Sequence, residues 1–333
     1  MKKTLLRVLC LIITLTIILP CTLFLSSCSN NKKRIIIYTS AEDYIIEYMQ
    51  EKMEEKFPQY KILFEYKSTG DHAASLMAAG KNSECHISFN MEYAYAEKIA
   101  DAGVYADLTG IIDFDAYTED AVQSKYYAPE NRTGGAIILN MDVINEKGLD
   151  IPTSYADLLD PQYKGLISMP NPKASGTGYI FLLSLINAWG EEAAFDYFDK
   201  LSQNILSFTS SGSGPVNALV GKEVAIGLGI TYMAASQINE GENLRIIYFD
   251  EGSPYSLYGM SIIAGNETDA DVVEVFKYLA GELNYQKNEL YCPEKMYKDA
   301  DFKAPNYPEN IIYADMTNNS PERKEDILSK WNH

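Results

Sequence analysis

From Arg34 onward, short apolar runs of strand length alternate with stretches of helical periodicity, and that alternation limits the chain to a sheet covered on both faces by helices. Arg34–Tyr38 (RIIIY), Lys61–Tyr66 (KILFEY) and His86–Phe89 (HISF) read as strands, and between the first two Ile46, Met49, Met53 and Phe57 recur at helical spacing. After Asn131-Arg132-Thr133-Gly134-Gly135 the traffic resumes with Ala136–Leu139, Leu166–Met169, Ile205–Phe208, Val224–Leu228 and Leu244–Phe249 as strands. Phe195, Phe198 and Leu201 mark one intervening helix, and Val272, Val275, Phe276 and Leu279 a later one. Such βαβ traffic predicts an α/β fold with a largely parallel sheet. Beyond Tyr285 the chain turns rich in Pro, Asn and Lys and ends in a helical stretch from Pro321 to Trp331.

The N-terminus belongs to a different problem. Lys2, Lys3 and Arg7 precede an apolar run from Val8 to Leu25 that ends Leu25-Ser26-Ser27-Cys28, the layout of a secretory signal. The ending is similar to the bacterial lipobox, which implies cleavage after residue 27 and a lipid on Cys28; an uncleaved anchor is the alternative, because the run approaches the ~20 residues that span a bilayer. Polar residues 28–33 then read as a tether. With those three cations removed, 25 Lys and Arg face 46 Asp and Glu, a net charge of −21. That balance argues against a nucleic-acid partner. Cys85 and Cys292 remain, and export permits either a bridge or two buried thiols. The ~305 remaining residues suffice for two lobes.

Four segments combine small hydroxyl residues and glycine at expected strand ends. MPNPKASGTGYIFLLSLI (Met169–Ile186) stops a strand with Pro170 and Pro172 and opens a helix at Ser175-Gly176-Thr177. Ser211-Gly212-Ser213 repeats the arrangement after Ser207–Ser210, and Thr39-Ser40 and Ser68-Thr69-Gly70 follow the first two strands. A helix N-terminus offers unpaired N–H groups and a partial positive charge, and glycines admit a ligand to the backbone. In open α/β sheets ligands bind beyond the carboxyl ends of strands, so the four segments are expected to share one crevice. Asn90 and Glu92, past another strand end, could read hydroxyls or an amine, and Tyr232, Tyr255 and Tyr258 could pack against the rest of a solute.

The stretch TSYADLLDPQYKGLISMPNPKASGTGY (Thr153–Tyr179) resembles a signature of solute-binding proteins that feed ABC importers, in the branch of ferric-iron, thiamine, phosphonate and hexose-phosphate binders. IIIYTSAED, SGSGPVNALVGKEVAIGLGI and EGSPYSLYGMSII match further, so the resemblance spans nearly the whole body. It implies a two-lobed type II periplasmic-binding-protein fold with a hinge of two crossing strands, near Gly134–Asn140 and Tyr258–Ile263. Lobe 1 is then 34–133 plus 260–290, lobe 2 is 134–259, and 291–333 braces them. Implied partners are a small solute, permease and ATPase subunits and, through lipid, the outer face of the cell membrane; a monomer without a cofactor is expected.

For the solute, hydroxyls and helix openings favour a phosphorylated or phosphonate compound such as a sugar phosphate. The candidate contacts are Thr39, Ser40, Ser68, Thr69, Gly70, Asn90, Ser175, Gly176, Thr177, Ser211, Gly212, Ser213, Tyr232 and Tyr255. Ferric iron is the alternative. Iron binders of this branch use adjacent tyrosines, whereas the matching region here holds Tyr232 followed by Met233, so iron would rest on Tyr232 and Glu42. Tyr126-Tyr127 does not align with that motif. Thiamine or a polyamine stands further back. No G-x-S-x-G, H-E-x-x-H or P-loop motif is present, and a hydrolase built on Ser211 or Ser213 with His72 or His86 has no supporting spacing.

Overall fold

The computed structural model describes residues 32–294 and 296–333. The signal at 1–27, the lipid site Cys28 and most of the tether lie outside the described residues. The first half contributes strands β1 (Lys33–Thr39), β2 (Tyr60–Tyr66) and β3 (Ile87–Glu92), with helices α1 (Asp43–Lys56), α2 (Thr69–Ala79) and α3 (Tyr93–Asp101) between and after them. A 13-residue strand, β4 (Ala128–Asn140), leads to α4 (Met141–Lys147), β5 (Ile167–Pro170), α5 (Gly176–Trp189) and α6 (Glu191–Leu201). Then come β6 (Ile205–Thr209), α7 (Gly214–Val220), β7 (Ile226–Ile230), α8 (Thr231–Asn239), β8 (Leu244–Ile247) and β9 (Tyr255–Ile262). Helices α9 (Ala270–Tyr278), α10 (Asn284–Tyr291) and α11 (Pro321–Lys330) complete the chain, a π-helical turn at Leu279–Leu283 joining the first two.

The sheet runs β2-β1-β3-β9-β4-β7-β5-β6, with β8 paired to β4. Its flanks are parallel, β1 lying between β2 and β3 and β5 between β6 and β7. Its centre is antiparallel: β9 pairs with β3 and β4, and β4 pairs with β7 and β8. The largely parallel sheet expected from the alternation is therefore half antiparallel. Periodicity located β4 only from Ala136, because Pro129, Gly134 and Gly135 disguise its first half, and it did not mark β9 as a strand.

β4 changes partner at mid-length. Ala128–Gly134 pair with β9, whereas Gly135–Leu139 pair with β7. Gly135 is required at the switch, since a Cβ there would fall 2.8 Å from the Phe181 ring. Apolar faces are buried on both sides of each flank. Ile35, Ile37, Met49 and Phe276 form one cluster and Leu76, Tyr105 and Ile263 another. Across the sheet Phe181, Phe198 and Trp331 form the largest cluster, and Ile138, Leu219 and Tyr232 the fourth.

The C-terminal residues touch both halves. Trp331 packs edge-on to Phe198 and Phe208, with ring centroids 5.4 and 5.8 Å away, and its carbonyl accepts from Lys173 Nζ at 2.7 Å. On the other side Glu325 pairs with Lys98, and Lys324 pairs with Glu92 while lying 4.0 and 4.2 Å from the Tyr95 and Tyr179 ring centres. A second ion pair, Glu130 with Lys287, is buried to 1% exposure on both sides. Cys85 and Cys292 are free, buried in different clusters, so the sequence alternative of a bridge is not realised.

Removing one partner of a fully buried ion pair strands a charge, at a cost of about 3–5 kcal/mol. Lys287→Met should lower the unfolding free energy in urea by about that amount, and adding Glu130→Gln should recover part of it. A loss under about 1 kcal/mol in the single variant would show that water reaches the pair.

Candidate functional site

The expected segments converge. A small cavity lies between the two halves of the sheet, lined from the first half by Ser40, Glu42, Tyr66, Ser68, Thr69 and Asn90. The second half contributes Ala174–Thr177, Ser210–Gly212, Ile230 and Tyr232, and the central strands β4 and β9 contribute Thr133 and Tyr258. Of the candidates, Ser40, Ser68, Thr69, Asn90, Ser175, Gly176, Thr177, Ser211, Gly212 and Tyr232 line it. Among the described residues no lysine, arginine or histidine does, and Glu42 is the sole acid.

Local chemistry explains how these groups reach the wall. Helix α5 opens at Ser175, whose backbone is extended and whose hydroxyl makes no capping bond. A Ser at this position ordinarily caps the helix with its side chain; here the residue, buried at the cavity wall, keeps its hydroxyl out of the cap. The first amides of the 14-residue helix have no partner within it. Helix α2 opens opposite, at Ser68, whose hydroxyl caps through the Asp71 amide at 3.3 Å. Glycines bring the elements together: a Cβ on Gly176 would collide with the Tyr258 hydroxyl, and one on Gly212 with Thr177 Oγ1.

Asn90 sits in a bulge of β3, where the register with β9 shifts between Ser88 and Met91, and its φ is 60°. Left-handed backbone suits Asn better than most residues, and bulges re-aim side chains beside sites. Two contacts hold it: its Nδ2 donates to Glu130 Oε2 at 2.8 Å and Ser40 Oγ donates to its carbonyl, Glu130 being anchored in turn by Lys287.

Four candidates stand off the wall. Thr39 is fully buried and its Oγ1 accepts from the Ala41 amide at 3.0 Å, closing a local turn. Gly70 lies against the Lys173 carbonyl. Ser213 is one layer back, its hydroxyl 2.8 Å from that of Ser211. Tyr255 faces away, its ring 5.0 Å from Tyr313 and 5.1 Å from the Arg132 guanidinium. Residues an odd number apart on a strand face opposite sides, so a β9 that turns Tyr258 inward turns Tyr255 outward.

Tyr66, Thr133, Ala174, Ser210 and Ile230 line the cavity without having been singled out by motif. Tyr66 could have been found as the residue ending β2 just before Ser68. The others carry no signal of their own.

Glu92 is buried behind the wall. Its Oε1 accepts from Ser256 at 2.7 Å and from Asn319 at 3.2 Å, and Lys324 pairs with Oε2. Burial acts to raise the Glu92 carboxyl, but the Lys324 ammonium and the Ser256 hydroxyl hold it below the usual range. Glu42 differs. It precedes α1 without capping it, and burial pushes its carboxyl up to about 7, a hydrogen bond from Ser213 opposing and Asp43 reinforcing the rise.

His72 is fully buried, its Nε2 3.1 Å from Ser88 Oγ, and burial drives it down to about 3. His86 Nδ1 accepts from the Ile36 amide at 3.2 Å. Neither lines the cavity. Among the described residues no three His, Cys, Asp or Glu side chains cluster as metal ligands, and no helix is long and apolar enough to cross a membrane.

A family model described as "Bacterial extracellular solute-binding protein" matches residues 90–287. An uncharacterized protein of Haemophilus influenzae is 27% identical over 261 residues, covering 75% of this chain and 73% of its own. A putative 2-aminoethylphosphonate-binding periplasmic protein of Salmonella typhimurium is 25% identical over 142 residues, 41% of each chain. The periplasmic binding protein AfuA of Actinobacillus pleuropneumoniae, solved with fructose-6-phosphate, superposes with a TM-score of 0.76 at 22% identity, covering 90% of this chain and 98% of its own. The two-lobed fold, the interlobe position of the cavity and these matches agree: the chain belongs to the bacterial extracellular solute-binding proteins, the substrate-binding components of ABC transporters.

Proposed function

We propose that the protein captures a small phosphorylated or phosphonate solute in the cavity between the lobes and delivers it to a permease. The observation that carries this reading is the composition of the wall: hydroxyls and a helix opening from one half face hydroxyls and a second helix opening from the other. Oxyanions are held by such donors without a formal cation, because N–H and O–H dipoles fixed in advance lose little on binding. The phosphoryl group is assigned to Ser175, Gly176 and Thr177 on α5 with Ser211 and Gly212 beside them. Ser40, Ser68, Thr69 and Asn90 complete the grip from the opposite half.

Iron fits this wall less well. A hard metal draws on carboxylate, phenolate and imidazole donors, and here Glu42 and three separated tyrosines, Tyr66, Tyr232 and Tyr258, stand among neutral hydroxyls.

Closure follows from the same geometry. The cavity has room for only about one water molecule, so a solute enters through an opened form. The lobes are assigned to 34–133 plus 260–290 and to 134–259, swinging about β4 and β9, and the solute favours closure by binding the closed form more tightly. Lipid attachment at Cys28 keeps the monomeric protein at the outer face of the membrane, beside its permease.

A thermal-shift panel of sugar phosphates, phosphonates, inorganic phosphate, thiamine, polyamines and ferric citrate tests the reading. Ligand at 100 times its dissociation constant stabilises by about 2.7 kcal/mol, so a phosphoryl compound should raise the melting temperature. Ser175→Ala with Ser211→Ala removes two charge-assisted bonds of about 1.5–3 kcal/mol each, and should weaken binding at least about 100-fold. A response confined to ferric iron and abolished by Tyr232→Phe would replace the phosphoryl reading with a metal site.

Small-angle scattering offers a second check: the radius of gyration should fall when the responding ligand is added. Equal radii with and without saturating ligand would rule out closure.

A further inference from the structure

Helix α11 is held by the two halves of the molecule in different ways. Toward the second half it is built in. Asn187 Nδ2 donates to the Asp315 and Thr317 carbonyls at 2.9 Å, and the Tyr179 hydroxyl donates to Asn319 Oδ1 at 2.8 Å, so the approach to the helix already lies along α5. Arg323 and Lys330 pair with Glu191 on α6 at 3.0 and 2.8 Å. Beyond the helix, Lys173 Nζ and Asn171 Nδ2 donate to the Trp331 and His333 carbonyls at 2.7 and 3.0 Å. Ile327 and Trp331 belong to the largest apolar cluster, and Leu328 packs against it.

Toward the first half the contacts are polar. Lys324 pairs with Glu92 at the end of β3 and lies over the Tyr95 ring, Glu325 pairs with Lys98 on α3, and Asn319 Nδ2 donates to Glu92 Oε1 at 3.2 Å. Among the described residues no apolar side chain of α11 joins either cluster of that half. The joint closes beside the cavity, since a Cβ on Gly176 would lie 3.8 Å from Glu92 Cγ.

The two kinds of joint respond differently to separation. Parting an apolar interface exposes hydrocarbon to water, whereas an ion pair that parts regains hydration on both charges, which offsets most of the lost attraction. When the lobes swing, the joint between α11 and the first half is therefore the one that yields.

We infer that α11 rides with lobe 2 and latches lobe 1 through Lys324–Glu92 and Lys98–Glu325, so that a helix forming no part of the cavity wall sets how readily the ligand-free protein opens. This rests on the closure proposed above and not on the identity of the solute.

Small-angle scattering from the ligand-free protein tests it without any solute. Lys324→Met strands the Glu92 carboxylate only when the lobes are shut, which should move the open-to-closed ratio at least about 100-fold toward open and raise the radius of gyration. Adding Glu92→Gln removes the stranded charge and should bring the radius partly back. The exposed pair supplies a variant that leaves the interior untouched: Lys98→Glu and Glu325→Lys should each shift the ratio about 2- to 5-fold toward open, and the two together should restore it. Tryptophan emission reports which joint parts. With Trp189→Phe as background, Trp331 is the remaining indole of the two, and its emission should stay blue in every variant because α11 stays on lobe 2. A radius that Lys324→Met leaves unchanged would overturn the latch, with ligand-driven closure still subject to its own test. Emission that shifts red as the radius rises would overturn it as well, because the helix then leaves lobe 2 and serves only as a brace of the fold.

Discussion

A single strand belongs to both halves of this molecule. β4 pairs with β9 through Gly134 and with β7 from Gly135 onward, so the position at which it changes partner fixes where the two halves of the sheet meet. Because pleating alternates side chains between faces, that register also decides which residues of the central strands look into the cavity. Thr133 and Tyr258 do; Tyr255 does not. A shift of one residue in the β4–β9 register would turn Tyr258 away from Gly176 and remove the middle of the site.

Electrostatics is organised around the same place. Glu92 and Glu130 lie just behind the wall, and each is matched by a lysine that arrives late in the chain, Lys324 on α11 and Lys287 on α10. Buried pairs of this kind add little net stability over apolar packing, but they penalise any arrangement that separates the partners. Here they tie the C-terminal helices to the strand ends that shape the cavity. Lys324 also lies against Tyr179 on α5, and Asn319 bridges Tyr179 and Glu92, so the helix whose opening faces the cavity is held at its first turn by the C-terminal segment. Glu42, at the cavity wall, forms no such ion pair among the described residues.

Much of this was legible in the residues. Strands at β1, β2, β3, β5 and β6 follow from apolar runs, and the hydroxyl-and-glycine segments at 39–40, 68–70, 175–177 and 211–213 could be placed at strand ends because Gly, Ser and Thr punctuate apolar periodicity. Four segments far apart in sequence, all at such ends, pointed to one crevice. Periodicity was silent about β9 and the first half of β4, since these central strands carry Pro129, Gly134, Gly135 and buried polar residues such as Asn131 and Ser256 instead of a plain apolar pattern. An antiparallel centre joined by long crossings leaves no local signature, so the alternation suggested more parallel pairing than exists.

The sequence by itself determined the α/β class, the solute-binding family resemblance and the hydroxyl character of the site, because strand and helix periods, turn residues and motif order are local properties of the chain. Tertiary structure alone decided which member of each segment meets the cavity: Ser175 and Thr177 but not Ser213, Tyr258 but not Tyr255, Glu42 but not Glu92, which Lys324 neutralises. The physical reason is that facing is set by register and pairing by packing, and both depend on contacts between residues as distant as 232 positions. Packing then puts identical carboxyl groups in different settings, Glu92 locked in the scaffold by Lys324 and Glu42 at the cavity wall.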